Sequence, residues 1–98
     1  MMSALEQARQ VRAEAQAVEY AALMEWQKLG NQTYIQPNEE KKLIAAGLPL
    51  PENSYTHEMF EARKKAFRKA KAAAVAARIA LDPLVLADML EKYQAAQQ

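Results

Sequence analysis

MFEARKKAFRKAKAAAVAARIAL, residues 59–81, is the stretch that determines the fold. It is made largely of strong helix formers and contains neither glycine nor proline, so it predicts one helix from about residue 56 to about residue 81. Its first half is crowded with lysine and arginine, and its second half is mostly alanine. Apolar residues recur along it at helical spacing: Phe60, Phe67, Ala70, Ala74, Ala77 and Leu81. We expect the rest of the chain to pack against this stripe.

A second long helix is predicted near the amino terminus, over about residues 3–29. Ser3 and Glu6 form a capping-box start, and Gly30 can end the helix in the left-handed conformation. Steps of three and four separate its apolar residues: Ala4, Ala8, Val11, Ala15, Val18, Ala22, Trp26 and Leu29. This spacing is typical of a helix packed lengthwise on another helix. We expect an antiparallel hairpin of the two helices, with Trp26 beside Phe60.

The connector between the long helices predicts a short helix over about residues 38–46. Pro37 and two acids open it, and the sequence Gly47-Leu48-Pro49 closes it. Residues 33–35 are expected to be extended. Asn53, Ser54 or Thr56 then caps the second long helix.

A last helix is predicted over about residues 83–96. Asp82 followed by Pro83 is typical of an N-cap and a first helical position. We expect this helix to fold back over the alanine-rich end of the preceding one, with a buried side formed by Leu86, Met89, Leu90 and Tyr93. The predicted fold is therefore all-α, in a single domain over residues 1–98.

Composition limits the functional classes. The 98 residues include no cysteine, which excludes disulfides and thiolate metal sites and fits a reducing compartment. The amino-terminal segment MMSALEQARQ lacks the basic and apolar regions of a secretory signal. No apolar run approaches the roughly 18 residues of a membrane span. We expect a cytoplasmic protein with no membrane partner.

Residues that usually support catalysis are sparse. His57 is the single histidine, at a predicted helix start with Glu58 and Glu61 nearby. A metal there would need further ligands that the sequence does not offer, so a solvated first-turn histidine is the better interpretation. Neither a glycine-rich phosphate loop nor a nucleophile elbow occurs. We expect no catalytic, cofactor-binding or metal-binding residues, and no enzymatic activity.

Charge is unevenly distributed along the chain. Residues 1–62 hold nine acids and five bases, whereas residues 63–98 hold eight bases and three acids. An antiparallel hairpin would bring Glu19 and Glu25 near the basic stretch, and Arg63, on the apolar side of its helix, is expected to pair with an acid of the first helix. The asymmetry is then partly balanced within the chain, which weakens a nucleic-acid interpretation.

The other bases of the stretch form a broad face opposite the phenylalanines. Such a face predicts either phosphate contacts or an ordinary solvated surface, and a net charge of +1 favours the second. Neither interleaved aromatic residues nor base-reading amides accompany it. Beyond it the same side becomes apolar, which predicts either cover by the last helix, the favoured interpretation, or an exposed patch for self-association or a partner helix. The predicted partner-binding residues are Lys64, Lys65, Arg68, Lys69, Lys71, Val75, Arg78 and Ile79.

The leading interpretation is a small protein-interaction module, an adaptor, inhibitor or assembly component, that binds a protein partner through its helical surface. The alternative is a nucleic-acid-binding protein that contacts phosphates through residues 64–71 without reading sequence. Long seams of small residues also predict self-association as a homo-oligomer.

Overall fold

Three helices and one minimal strand pair make up the chain, of which the computed structural model describes residues 2–97. The predicted all-α character is confirmed. In chain order the elements are helix α1 (Ala4–Gln27), a 3₁₀ turn (Lys28–Asn31), strand β1 (Thr33–Tyr34), helix α2 (Pro37–Ala45), strand β2 (Ser54–Tyr55) and helix α3 (His57–Ala96).

The chain divides into two compact units, each of which takes part of both long helices. The terminal unit comprises Met1–Glu19 and Ala70–Gln98, and the central unit comprises Tyr20–Lys69. The single domain expected over residues 1–98 stays a prediction.

Helix α1 begins at the predicted Ser3 cap, with one of the two hydrogen bonds of a capping box. The backbone N–H of Glu6 donates to Ser3 Oγ at 3.1 Å, which satisfies one of the free donors of the first turn. The helix ends in the 3₁₀ turn that contains Leu29 and Gly30. The predicted bounds hold within about two residues, but Gly30 does not have positive φ, so the left-handed ending predicted for it was wrong.

The side of α1 that is turned away from solvent agrees with the predicted stripe only in part, because Ala8, Ala15, Ala22 and Trp26 lie on it and Ala4, Val11 and Val18 do not. Val11 and Val18 are 55% and 60% exposed, so their predicted place in the core was wrong. Arg12 and Glu19 are less exposed than the valines they follow. At these two positions the less exposed residue is the next one along the chain, about 100° around the helix, and a stripe made mainly of small alanines gave too weak a signal to choose between the neighbours. The less exposed residues are Leu5, Ala8, Arg12, Ala15, Glu19, Ala22, Leu23 and Trp26.

An aromatic cluster links α1 to α3 in the central unit. The ring centroid of Trp26 lies 6.0 Å from that of Phe60 and 5.5 Å from that of Phe67. The predicted proximity of Trp26 and Phe60 is confirmed. Leu29 and Ile35 are buried in the same unit. Arg63 is half-buried in the same unit. Its Nη1 donates a hydrogen bond to the backbone carbonyl of Glu25 at 2.9 Å. Arg63 therefore binds a carbonyl of α1 rather than the carboxylate that the sequence predicted.

Helix α2 has the predicted start and end. Pro37 occupies its first turn, where the missing N–H costs nothing. At its other end Gly47 has φ of 69°, and its N–H donates to the carbonyl of Ile44 while the N–H of Leu48 donates to that of Leu43. These two bonds form a Schellman motif, which needs a residue that tolerates positive φ.

The strand pair closes the connector in a parallel register. Thr33 pairs with Ser54, and Tyr34 pairs with Tyr55. The Tyr34 and Tyr55 rings lie 5.3 Å apart between centroids. The sequence predicted the extended residues 33–35 but not their partner strand, because two-residue strands are below the length at which a pattern is visible.

Helix α3 is capped by Thr56, one of the three predicted candidates. Thr56 Oγ1 accepts from the N–H of Met59 at 3.2 Å, and the threonine is buried. The helix then runs unbroken through Pro83 to Ala96, so the separate helix predicted over residues 83–96 was wrong. Proline removes one backbone hydrogen bond, but a break would have left several donors and acceptors unpaired at two new helix ends.

The buried apolar residues of the terminal unit all belong to the predicted stripe of α3. They are Ala70, Ala74, Ala77 and Leu81. The residues expected on the buried side of the last helix are instead exposed, because α3 continues without a break through Pro83 and no separate helix folds back over it. That correction concerns Leu86, Met89, Leu90 and Tyr93, which are 58%, 61%, 53% and 64% exposed.

Candidate functional site

The eight predicted partner-binding residues all lie on α3, and the two units share them equally. The central unit holds Lys64, Lys65, Arg68 and Lys69, and the terminal unit holds Lys71, Val75, Arg78 and Ile79.

The basic residues of the central unit have different surroundings. Lys64 is half-buried, and its Nζ lies 6.0 Å from the centroid of the Phe60 ring, at the outer limit of a cation–π contact. Lys65 and Arg68 line a shallow groove of about 650 Å³ together with residues of the first two turns of α3. Because one helix supplies the whole lining, this groove is a surface feature rather than an enclosed pocket.

His57, the predicted solvated histidine, is exposed and lines that groove with Glu58 and Glu61. Within residues 2–97, no cluster of three or more histidine, aspartate or glutamate side chains is placed to hold a metal ion. The groove therefore offers charge but no recognisable ligand set.

An exposed apolar face follows in the terminal unit. We call it the docking face and define it as Val75, Ile79, Leu86, Met89, Leu90 and Tyr93, all of them exposed. At about 100° per residue these six positions fall within an arc of roughly 100° on one side of α3. The sequence indicated only Val75 and Ile79, since it assigned the other four to the interior. The face is apparent only once Pro83 is known to lie inside a continuous helix.

The bases that accompany the docking face lie at its amino-terminal end. Lys71 and Arg78 occupy the same side of α3, one turn before and one turn after Val75. Both side chains also line a cleft of about 240 Å³ between α1 and α3, with Arg12, Gln16, Glu19, Ala74 and Val75. Every lining residue of this cleft belongs to the terminal unit.

Arg12 is the unusual member of that cleft. Its Nε is buried, and it donates to no protein acceptor. Within residues 2–97 the ion pairs join Lys28 to Glu25 and Lys92 to Asp88, so no carboxylate lies within ion-pair distance of Arg12. The sequence pattern missed this residue because it placed Val11 in the helix interface instead.

Glu25 is the carboxylate whose titration the central unit changes. A hydrogen bond from Lys28 Nζ at 2.6 Å lowers the pKa of Glu25 below its ordinary value, and the charges of Lys28 and Arg63 lower it further. The carboxylate is exposed, so this arrangement contributes little to stability.

The helices of the described region contain no segment with the length and apolarity to cross a bilayer. No family model, curated protein or solved structure significantly matches this chain.

Proposed function

We propose that this protein is a non-enzymatic interaction module that binds a helix of a partner protein through the docking face of α3. The observation that supports this function is the exposure of six large apolar side chains on one side of one helix. Apolar surface of this kind marks interaction sites in soluble proteins. Single exposed apolar residues are ordinary, but six on one side of one helix are not, even though the exposed Asp82 interrupts the row between Ile79 and Leu86.

The size of the docking face indicates what else the partner must supply. Full burial of a large apolar side chain contributes about 1.5–3 kcal/mol, so completing the burial of six half-exposed ones contributes roughly 5–10 kcal/mol. Association itself costs about 4–15 kcal/mol. Apolar contacts alone are therefore marginal, and the complex requires further polar contacts.

Lys71 and Arg78 supply those contacts at the amino-terminal end of the docking face. We infer a partner helix with apolar residues at three- and four-residue spacing and carboxylates at the end that meets these two bases. Such a helix would complete a heptad-like seam with α3. Complementary charge at one end would also fix the direction in which the partner binds.

In this proposal, α1 and α3 pack against each other in antiparallel directions. The contacts of Trp26 with Phe60 and Phe67 support the pairing in the central unit, and the cleft shared by α1 and α3 supports it in the terminal unit. A chain without cysteine suits the cytoplasm, where we expect the complex to form.

Affinity capture with matched variants tests the proposal. The tagged chain is compared with Leu86→Glu/Leu90→Glu, which places charge in the docking face, and with Val11→Glu/Val18→Glu on α1. The two valines are 55% and 60% exposed, so this control adds the same charge at equal exposure. Both variants are expected to keep the helical content of the parent by circular dichroism.

The proposal predicts one protein that the parent and the α1 control retain and the α3 variant loses. Nuclease treatment should leave this protein bound. If the α3 variant still captured this protein, or if only the α1 control lost it, the interaction would lie outside the docking face. Recovery of a second copy of this chain as the lost protein would identify the contact as self-association and overturn the partner-helix assignment.

Phosphate binding by the basic segment is the second candidate function. Lys65, Arg68, Lys69 and Lys71 are exposed, and none forms an ion pair with a carboxylate within the described residues. Lysine and arginine in this state can neutralise nucleic-acid phosphates, with an affinity that falls steeply with salt.

A mobility-shift assay separates the two functions. Duplex and single-stranded DNA and RNA are titrated at low and physiological salt against the parent and a Lys65→Glu/Arg68→Glu/Lys69→Glu variant. Binding that the variant loses supports the nucleic-acid function. No shift even at low salt rejects it and leaves the protein-interaction proposal untouched.

A further inference from the structure

Three cations line the cleft between α1 and α3 in the terminal unit, namely Arg12, Lys71 and Arg78. They face a single carboxylate, that of Glu19, and the amide of Gln16. Counted as formal charges, the lining carries an excess of two positive charges. None of the three cations lies within ion-pair distance of a carboxylate in residues 2–97. The cleft therefore has unused capacity to bind an anion.

Arg12 distinguishes this cleft from an ordinary cluster of exposed bases on the protein surface. It occupies the side of α1 that is turned away from solvent, a position at which helix packing favours an apolar residue. Its Nε is buried and lacks an acceptor. A buried donor without an acceptor carries an unfavourable desolvation penalty. An anion in the cleft would supply the missing acceptor.

The helix opposite leaves space for such an anion. α3 presents Ala74 to the cleft, and its neighbours Ala70 and Ala77 on the same stripe are also small and buried. The resulting volume of about 240 Å³ is below the roughly 300 Å³ at which pockets for drug-sized ligands begin. A single small charged group fits this space better than a large ligand.

We propose that this cleft binds the phosphate group of a small molecule, as inorganic phosphate or a phosphomonoester. The planar guanidinium groups of Arg12 and Arg78 can each donate two parallel hydrogen bonds to phosphate oxygens, and Lys71 adds a compact positive charge. Glu19 faces the same space and accepts a hydrogen bond from a hydroxyl of the monoprotonated phosphate or of the ligand. The site needs no protein partner, and because Lys71 and Arg78 are also the bases assigned to the partner helix, phosphate and that helix are expected to compete for them.

Nuclear magnetic resonance of the full chain tests the site directly. Inorganic phosphate and, in a separate arm, glycerol 3-phosphate are titrated at low salt while the Arg12 Nε–H signal is followed, with chloride as the reference anion. We expect a saturable shift of that signal with phosphate and none with chloride. Tighter binding of glycerol 3-phosphate than of phosphate would identify a phosphomonoester as the ligand, and equal or weaker binding would identify the free ion.

Two variants distinguish specific phosphate binding in the cleft from non-specific attraction of phosphate to the positive charge of the protein. Arg12→Leu is expected to weaken phosphate binding about tenfold or more while keeping the fold, since leucine suits a helix interface. Arg68→Gln removes the same charge from α3 outside the cleft and is expected to bind phosphate as the parent does. The proposal would be overturned if the shift of the Arg12 Nε–H signal did not saturate with phosphate, or if both variants lost the same amount of phosphate affinity.

Discussion

Trp26 is the residue on which packing of the central unit depends most. It brings the largest apolar side chain of the unit between Phe60 and Phe67, with ring centroids at 6.0 and 5.5 Å. Aromatic pairs at these distances add specific attraction to the burial of apolar surface. Its place was predictable from sequence because one tryptophan at the end of an alanine stripe has few partners of matching size.

Replacing Trp26 should therefore destabilise the protein strongly. Trp26→Ala is expected to lower the free energy of unfolding by about 2–3 kcal/mol, below the range for a fully buried tryptophan because Trp26 is half-buried. Urea denaturation measures the change. Tyr20→Ala is the control, since Tyr20 is 65% exposed and its removal should alter stability by less than about 0.5 kcal/mol. Equal losses in the two variants would show that the aromatic cluster does not hold the unit together.

The pKa of Glu25 tests the contact at the end of α1. Lys28 and Arg63 lower this pKa in the folded state, so the contact stabilises the fold above the carboxyl's unfolded pKa and is lost as pH falls through the folded pKa. Carboxyl chemical shifts followed through an acid titration should report a raised pKa in Lys28→Gln. Lys41→Gln is the matched charge control and should leave it unchanged. An unaltered pKa in Lys28→Gln would refute the hydrogen bond.

At the scale of elements, some features of α3 could be predicted from local sequence and others could not. The cap at Thr56 and the alanine stripe were predictable because both are local. The continuation through Pro83 was not, since Asp82-Pro83 is equally compatible with a helix start and with an interior proline in a long helix. The difference decides whether Leu86, Met89, Leu90 and Tyr93 face the interior or solvent.

Substitutions at Asp82 and Pro83 distinguish the two structures. In a continuous helix, Pro83→Ala restores a backbone hydrogen bond and should raise the stability of the protein by about 1–3 kcal/mol. Asp82→Ala should then be nearly neutral. If Asp82 were instead the N-cap of a separate helix, Asp82→Ala would cost about 0.5–2 kcal/mol and Pro83→Ala would bring no gain. Thermal unfolding followed by circular dichroism measures both changes.

The carboxyl-terminal end of helix α2 allows a further test by substitution. Gly47 has φ of 69°, so Gly47→Ala is expected to cost about 1 kcal/mol in the free energy of unfolding. Gly30→Ala is the matched control, because nothing lies within 4 Å of an added Cβ there and φ is not positive. It should be neutral or slightly stabilising. A larger loss at Gly30 than at Gly47 would contradict the Schellman motif.

For the molecule as a whole, the sequence predicted most helix ends well and surfaces poorly, although the caps predicted at Gly30 and Asp82 were wrong. Helix ends depend on serine, threonine, proline and glycine at fixed offsets, and such signals are local. Which face is covered depends on packing between distant segments, and alanine-rich stripes specify that packing weakly. This explains why Val11 was assigned to the interior in place of Arg12. It also explains why four residues of the docking face and the cleft lined by Arg12 were not predicted.

Site-specific photo-crosslinking tests the central claim most directly. A benzophenone amino acid is placed at Leu86 or Tyr93 in the docking face, or at Val18 on α1, which is exposed to a similar extent. In the native cells, the two docking-face positions should yield the same single crosslinked protein, and Val18 should yield none. Crosslinking from Val18 with none from Leu86 or Tyr93 would contradict the assignment of α3 as the partner-binding surface.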